Sequence, residues 1–251
     1  MPPSHRLLLF LRYPQPGQTK TRLIPALGAV GAAQLQRQMA EYLLAKLDHP
    51  AWQLQIHFTG ASLRDMQSWL GSGYAYKPQI EGNLGEKLWS GFQSTFAEEN
   101  PALSSQNRVV AVGADCPDLS VRHIRQAFEH LDYDDVVLGP ALDGGYYLIG
   151  LRQSCLPSKS FSSSPTSSAL PPDSLSQKSL FTDISWSTSA VLRQTLESAK
   201  ALDLSTAQLE TLADIDRPSD LAIWHRLQTD AYQANPKHSS NSLSTDRVYF
   251  S

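Results

Sequence analysis

Short apolar runs alternate with longer amphipathic stretches along most of the chain. Arg6–Leu11 is a nearly unbroken apolar run, the pattern of a strand buried on both faces. From about Ala29 to Leu47 apolar residues recur at helical spacing. Trp52–Phe58 alternates with period two and predicts a second strand. Leu63–Leu70 predicts a short helix and Tyr74–Lys77 a short strand. Gly85–Glu98 predicts a helix with Leu88, Trp89, Phe92 and Phe96 on one side. Arg108–Val112 is a β-branched run that predicts another buried strand, followed by a helix over Val121–Leu131. Asp135–Gly139 predicts a strand that turns through Pro140–Gly145 into Tyr146–Leu151, which can pair back on it. Leu180–Trp186 regains an apolar pattern, Ser189–Ala199 predicts a helix, and Leu212–Leu221 leads into a last helix ending near Leu227. Strands alternating with helices predict an α/β fold: a doubly wound, mostly parallel sheet in a single domain.

One segment interrupts this order. Residues 154–179 are dense in Ser and Pro and poor in apolar side chains. Such a composition cannot bury enough surface to offset its ordering entropy, so a loose insertion on a surface loop is expected. The domain is expected to span residues 1–231, and the Ser/Asn-rich tail, 232–251, to be disordered. No internal repeat is visible.

Bulk properties then narrow the function classes. The 251 residues suffice for one large α/β domain, and 41% hydrophobic with 18% charged residues is ordinary for a soluble protein. A net charge of −3 supplies no basic field for nucleic acid. No stretch approaches the length of a membrane span, and Leu7–Leu11 is too short for the apolar region of a signal peptide. A cytoplasmic location is expected. The two cysteines, Cys116 and Cys155, exclude a disulfide framework or a multi-Cys zinc site. Cys116 is expected to be a buried thiol rather than a nucleophile.

Five short motifs carry the candidate chemistry. Gly113-Ala-Asp-Cys-Pro-Asp-Leu119 follows a predicted buried strand, which delivers Asp115 to the carboxyl edge of the sheet, where open α/β sheets bind ligands. There Asp115 can hold a hard cation that in turn holds a diphosphate, or it can cap the helix starting near Ser120. The Pro/Gly loop after the first strand carries Lys20 and Arg22, an ammonium and a planar guanidinium suited to phosphate oxygens, and Gly17 allows close backbone approach. The spacing is neither a Walker P-loop nor a dinucleotide fingerprint. Both cations are expected to face the site rather than the core, so that removing either should leave folding intact. Asp143-Gly-Gly145 reads equally as a tight turn and as a place where a sugar or base approaches the backbone, with Asp143 accepting its hydroxyl protons. Asn83 in Glu81–Lys87 can cap the following helix or read a nucleoside. Asp214-Ile-Asp216 can supply a second metal ligand, with Asp216 the candidate, or Asp216 can serve the turn before the last helix.

Taken together, Pro14-x-Pro-Gly-x-x-Lys-Thr-Arg-Leu23, Gly82-Asn-Leu-Gly-Glu86, the Asp115 motif, Asp143-Gly-Gly-Tyr-Tyr-Leu-Ile-Gly-Leu151 and Asp214-Ile-Asp-Arg-Pro-Ser-Asp-Leu221 resemble a bacterial GT-A-type family. Its members are labelled arsenosugar-biosynthesis-type glycosyltransferases, formerly a domain of unknown function, and are related to guanylyltransferases of the same fold. The resemblance spans about Leu7–Leu227. It implies a nucleotide-diphospho-sugar transferase fold and a metal-dependent glycosyltransferase that takes a nucleotide-sugar donor and a small-molecule acceptor. It implies a divalent cation on Asp115; Mg²⁺ or Mn²⁺ is the expected ion, and Asp216 is the candidate second ligand from its own motif. It places Gly17, Lys20 and Arg22 at the phosphates and Asn83, Leu84 and Gly85 near the nucleoside; beside these, Pro16 is a candidate nucleotide contact and Lys20, Arg22 and Asp143 are the candidate catalytic side chains. A nucleotidyltransferase acting on a phosphorylated small molecule and a non-catalytic nucleotide-binding protein are the alternatives. The chain departs from the family pattern at Lys87, where Arg is expected, at Asn83 in place of Asp, and at Ser187 in place of Gly.

Overall fold

The structure is a computed structural model that describes residues 5–99, 106–155 and 180–234. The strands are β1 (His5–Arg12), β2 (Gln53–Thr59), β3 (Ala75–Pro78), β4 (Arg108–Gly113), β5 (Val136–Pro140), β6 (Tyr146–Arg152) and β7 (Thr206–Gln208). The helices are α1 (Ile24–Leu47), α2 (Leu63–Leu70), α3 (Leu84–Ala97), α4 (Val121–His130), α5 (Val191–Ala201) and α6 (Leu221–Ala234). The strands form one sheet in the order β3-β2-β1-β4-β6-β5-β7. All neighbouring pairs are parallel except those of β6, which runs antiparallel to both β4 and β5. The expected pairing of Tyr146–Leu151 back onto the preceding strand is therefore present.

The continuous apolar runs have a direct cause. In β1, Leu7, Leu9 and Leu11 enter one core with Leu43 and Leu47 of α1, Met66 of α2 and Ile124 and Phe128 of α4. Leu8 points to the opposite face, where it joins Leu88, Phe92 and Phe96 of α3 and Ala199 of α5. β4 divides in the same way, Val110 and Val112 to one side and Val109 and Ala111 to the other. A strand covered by helices on both faces has no polar side to show. A third, smaller cluster joins Leu23 and, from α1, Leu35 and Met39 to Ile215 and Trp224, tying α1 to α6 and to the segment before it. His57 of β2 is one of several buried polar side chains: it is 3% exposed, its Nε2 is 2.8 Å from Gln55 Oε1, and its ring stacks on Phe10.

Three differences from expectation have local reasons. The first helix begins at Ile24 rather than near Ala29, because a turn precedes a break at Gly28, whose φ of 69° interrupts the helical backbone. β7 has no apolar run to announce it; its three residues are ordered by parallel pairing with Val136–Leu138. α6 continues to Ala234, beyond Leu227. Of the predicted insertion, residues 156–179 lie outside the described residues, as do residues 235–251 of the predicted tail. No described helix is long and apolar enough to cross a membrane.

Candidate active site

Parallel pairing sets Phe10 of β1 beside Gly113 of β4, so the chains leaving these two strands emerge together at one edge of the sheet. After β1, Gly17 turns with φ 79° and Gln18 N–H donates to Gln15 O at 3.0 Å. The buried Thr19 hydroxyl donates back to the same carbonyl at 3.2 Å. This folded loop presents Lys20 in the left-handed region, φ 49°, a conformation that is costly for a residue with a side chain. Lys20 then points inward. Its side chain is only 5% exposed, its Nζ lies 2.8 Å from Asp115 Oδ1, and it also donates to the carbonyl of Ile215. Ile215 N–H donates in turn to Asp115 O at 2.9 Å. One lysine thus ties together three segments that are distant in sequence. Arg22, more exposed, pairs with Asp216.

Asp115 does not cap α4. The cap is Ser120, whose N–H donates to Nδ1 of His123 at 3.0 Å, while Nε2 of His123 meets Glu210 Oε1 at 2.6 Å. Cys116 is buried, and burial, followed by the negative charge of Asp115, drives its thiol far above the usual range. It is a core thiol, as expected of a free cysteine.

The facing side is built from two turns that interlock and from the start of α3. Between β5 and β6, Gly144 N–H donates to Ala141 O at 3.1 Å, closing a β-turn with Leu142 and Asp143 at its tip. Asp143 Oδ1 accepts the Gly145 N–H at 2.8 Å, which fixes the carboxylate. Gly144, at φ 89°, sits so close to the Trp186–Ser189 turn that a Cβ there would lie 2.3 Å from Ser189 O. Gly85 lies beneath Trp186, where a Cβ would come within 2.5 Å of the indole.

These elements enclose an open cavity of about 1210 Å³. Lys20, Arg22, Leu84, Asp115, Asp143 and Asp216 line it. The other expected contacts do not. Pro16 and Gly17 belong to the turn that aims Lys20. Asn83 is the cap of α3: its Oδ1 accepts Glu86 N–H at 3.0 Å, and its own N–H donates to Glu86 Oε2 at 2.7 Å. Gly85 is the packing site of Trp186. Asp214, of the same motif as Asp216, lines the cavity as well. Burial raises its carboxyl above the usual range, and the Asp143 and Asp115 charges push in the same direction, against Lys20. Asp216 faces Arg22, and its N–H, with that of Arg217, donates to Asp220. Burial would raise Asp220, but those two N–H groups outweigh it and hold that carboxyl low. The Asp214-Ile-Asp216 motif announced both aspartates. Nothing in it distinguished the one facing Asp115 and Asp143 from the one facing Arg22.

The donor set bears on metal binding. Asp115 and Asp216, the expected ligands, each face a basic side chain. Among the described residues no three His, Cys, Asp or Glu side chains form a ready ligand group. What the cavity offers is hard carboxylate oxygen from Asp115, Asp143 and Asp214, the last raised above its ordinary range by burial first and by its acidic neighbours second. That suits a small hard cation held by one or two carboxylates and completed by ligand oxygens, rather than a closed protein cage.

Comparison with known proteins places this geometry. A family model described as "Uncharacterized protein conserved in bacteria (DUF2064)" matches residues 43–168, half of the chain. No curated protein matches the chain in sequence. Among solved structures, the "putative nucleotide-diphospho-sugar transferase" of Desulfovibrio desulfuricans G20 is 29% identical, with a TM-score of 0.72 over 96% of this chain and 91% of that one. The 4-diphosphocytidyl-2C-methyl-D-erythritol synthase of Anaerococcus prevotii DSM 20548 shares the fold at 8% identity, with a TM-score of 0.53 over 90% of this chain and 96% of that one.

Proposed function

The chain belongs to the bacterial DUF2064 family, and on that footing we propose that it is a glycosyltransferase that uses a nucleotide-diphosphate sugar and a divalent cation. The observation that carries this reading is the convergence of Lys20, Asp115, Asp143 and Asp214 on one cavity at the carboxyl edge of the sheet. The near-full-length likeness to the Desulfovibrio protein supports it.

In this reading Lys20 and Arg22 take the diphosphate oxygens, Lys20 as a point charge and Arg22 as a fork. Both then offset the charge that grows on the departing nucleoside diphosphate, the electrostatic contribution that dominates such sites. Asp115 and Asp214 hold the cation, which when bound supplies Lewis-acid stabilisation of the leaving diphosphate. Asp143 has one oxygen committed to Gly145 N–H, which orients the other toward an acceptor hydroxyl, whose proton it takes. Phosphate-side residues lie on the loop after β1 and on the segment before α6. Acceptor-side residues lie on the β5–β6 turn and the Trp186–Ser189 turn.

The test is a product analysis. The protein is incubated with a panel of nucleotide-sugars and Mg²⁺ or Mn²⁺, and separately with nucleoside triphosphates and sugar phosphates. Release of a nucleoside diphosphate from a nucleotide-sugar, lost in Asp115→Asn, is the expected result. Release of pyrophosphate from a triphosphate would instead make the protein a nucleotidyltransferase. Tight nucleotide binding with no product from any pair would leave a nucleotide-binding protein without catalysis.

A further inference from the structure

The cavity has two unlike sides. One carries the ion pairs: Lys20 with Asp115 and Arg22 with Asp216, with Asp214 and Arg217 nearby. The other carries Leu142, Trp186 and Leu84. This second side is continuous: Gly85 packs under Trp186, Gly144 packs under Ser189, and Leu192 N–H donates to Gly144 O at 3.0 Å. Among the described residues six large hydrophobic side chains are well exposed, and two of them, Leu142 at 73% and Leu84 at 46%, line this one cavity.

The fold does not need these leucines where they are. Leu142 stands at the tip of the β5–β6 turn, a position that ordinarily takes Pro or a small polar residue. It contributes nothing to any of the three cores. Leu84 opens α3 beside its capping residue and is likewise absent from the cores. Trp186 adds a half-buried indole braced by Phe181, with ring centroids 6.3 Å apart. A broad aromatic surface beside exposed aliphatic groups in a concave space is the usual lining of a small-molecule pocket, not of a flat protein interface.

We propose that Leu142 and Trp186, with Leu84 at their edge, form an acceptor subsite for an alcohol with an apolar body, such as an aryl or alkyl diol. This rests on the glycosyltransferase reading above. Leu142 and Asp143 are neighbours in one turn, so an acceptor whose apolar body lies on Leu142 brings its hydroxyl to the Asp143 carboxylate. In the transfer, the acceptor oxygen forms the new bond to the anomeric carbon and its proton passes to Asp143. The bond from that carbon to the diphosphate oxygen breaks, and its electron pair leaves with the nucleoside diphosphate. Lys87, which also lines the cavity from the first turn of α3, gives the apolar surface a cationic margin.

Two probes with the same vicinal hydroxyls separate this from a general affinity for polyols: glycerol and 3-phenoxypropane-1,2-diol. Binding to the full chain is read by ligand-observed NMR titration, with and without a nucleoside diphosphate and Mg²⁺. The phenoxy compound should bind at least about tenfold more tightly than glycerol, with magnetisation transfer strongest at its ring. Leu142→Gln should remove most of that preference and Leu142→Met should keep it. Because Leu142 is largely solvated, both variants should melt with the wild type. Equal affinity for the two diols, or a preference that survives Leu142→Gln, would overturn the subsite. A nucleoside diphosphate titration on the same samples keeps the two readings apart. Nucleotide binding without an apolar preference counts against the subsite alone. Absence of nucleotide binding counts against the transferase reading, while the diol comparison still decides the subsite.

Discussion

Removing Lys20 should weaken the fold as well as the site, contrary to the expectation that its side chain merely faces a ligand. The ammonium is 5% exposed and holds both Asp115 and the Ile215 carbonyl. A hydrogen bond from a charged donor contributes roughly 1.5–3 kcal/mol. The ion pair adds little, because Asp115 is 53% exposed and recovers water when its partner is lost, which leaves about 0–1 kcal/mol. Lys20→Ala should therefore cost about 2–3 kcal/mol in urea unfolding at neutral pH, with an unchanged slope. Alanine inherits the left-handed backbone. Lys20→Gly relieves a strain of about 1–2 kcal/mol, partly offset by the looser unfolded chain, and should be milder than alanine by up to about 1 kcal/mol. The same variants free Asp115 of its resident cation. Mn²⁺ should then bind the nucleotide-free protein more tightly than it binds wild type, while nucleoside diphosphate affinity falls. Both variants unfolding within about 0.5 kcal/mol of wild type would show that Lys20 is a solvated side chain and not a cross-link. Unchanged Mn²⁺ affinity would remove Asp115 from the metal site.

Three further outcomes are expected. Burial, assisted by Lys77, lowers His57 from its ordinary value to about 4, so the folded state binds fewer protons than the unfolded chain between that value and 6.5. Stability should be full above pH 6.5 and fall by about 3 kcal/mol as the pH drops toward 4, a slope that His57→Gln should flatten in pH-dependent urea melts. Gly144→Ala places a Cβ against the Ser189 backbone at a positive φ, and should destabilise by more than about 2 kcal/mol by thermal melt; a neutral result would mean that the two turns do not interlock. Asp214→Asn removes a carboxylate disfavoured first by burial and then by Asp143 and Asp115, so it should leave the metal-free protein as stable as wild type or up to about 1 kcal/mol more so, while calorimetric titration shows metal-enhanced nucleotide binding reduced.

What was legible in the sequence follows from how each element is stabilised. β1 and β4 are sandwiched between helices, so burial alone writes their pattern as an apolar run. Leu63–Leu70 was readable to the residue because Ser62 and Asp65 form a capping box at its start and Gly71 ends it. β7 carries no such mark, since pairing with β5 rather than its own side chains makes it a strand. The site divides along the same line. Asp115 was readable because a strand delivers it. Asp214 lies on an irregular segment whose course is set by contacts made far away, the Ile215 N–H to Asp115 O and the Ile215 carbonyl to Lys20. Asn83 and Gly85 show the opposite difficulty. A helix cap, a packing contact and a nucleoside contact call for the same small residue types, and only the placement of Glu86 and Trp186 separates those roles.

The charges around the cavity carry a consequence for how a ligand enters. Five basic and five acidic side chains line it. The two cations nearest the sheet edge are already engaged, Lys20 by Asp115 and Arg22 by Asp216. A multiply charged diphosphate arriving alone would have to draw Lys20 and Arg22 from their partners, leaving Asp115 and Asp216 exposed to it beside Asp214. A divalent cation arriving with the diphosphate removes that conflict, since it satisfies the carboxylates while the two basic side chains turn to the phosphate. Cation and nucleotide should therefore bind as a unit, each raising the affinity for the other by the same factor. Calorimetric titration of a nucleoside diphosphate with Mg²⁺ and then with chelator should show affinity collapsing without the metal. Equal affinity under both conditions would mean that Lys20 and Arg22 exchange partners unaided, and that the carboxylates of this cavity serve the fold rather than a cation.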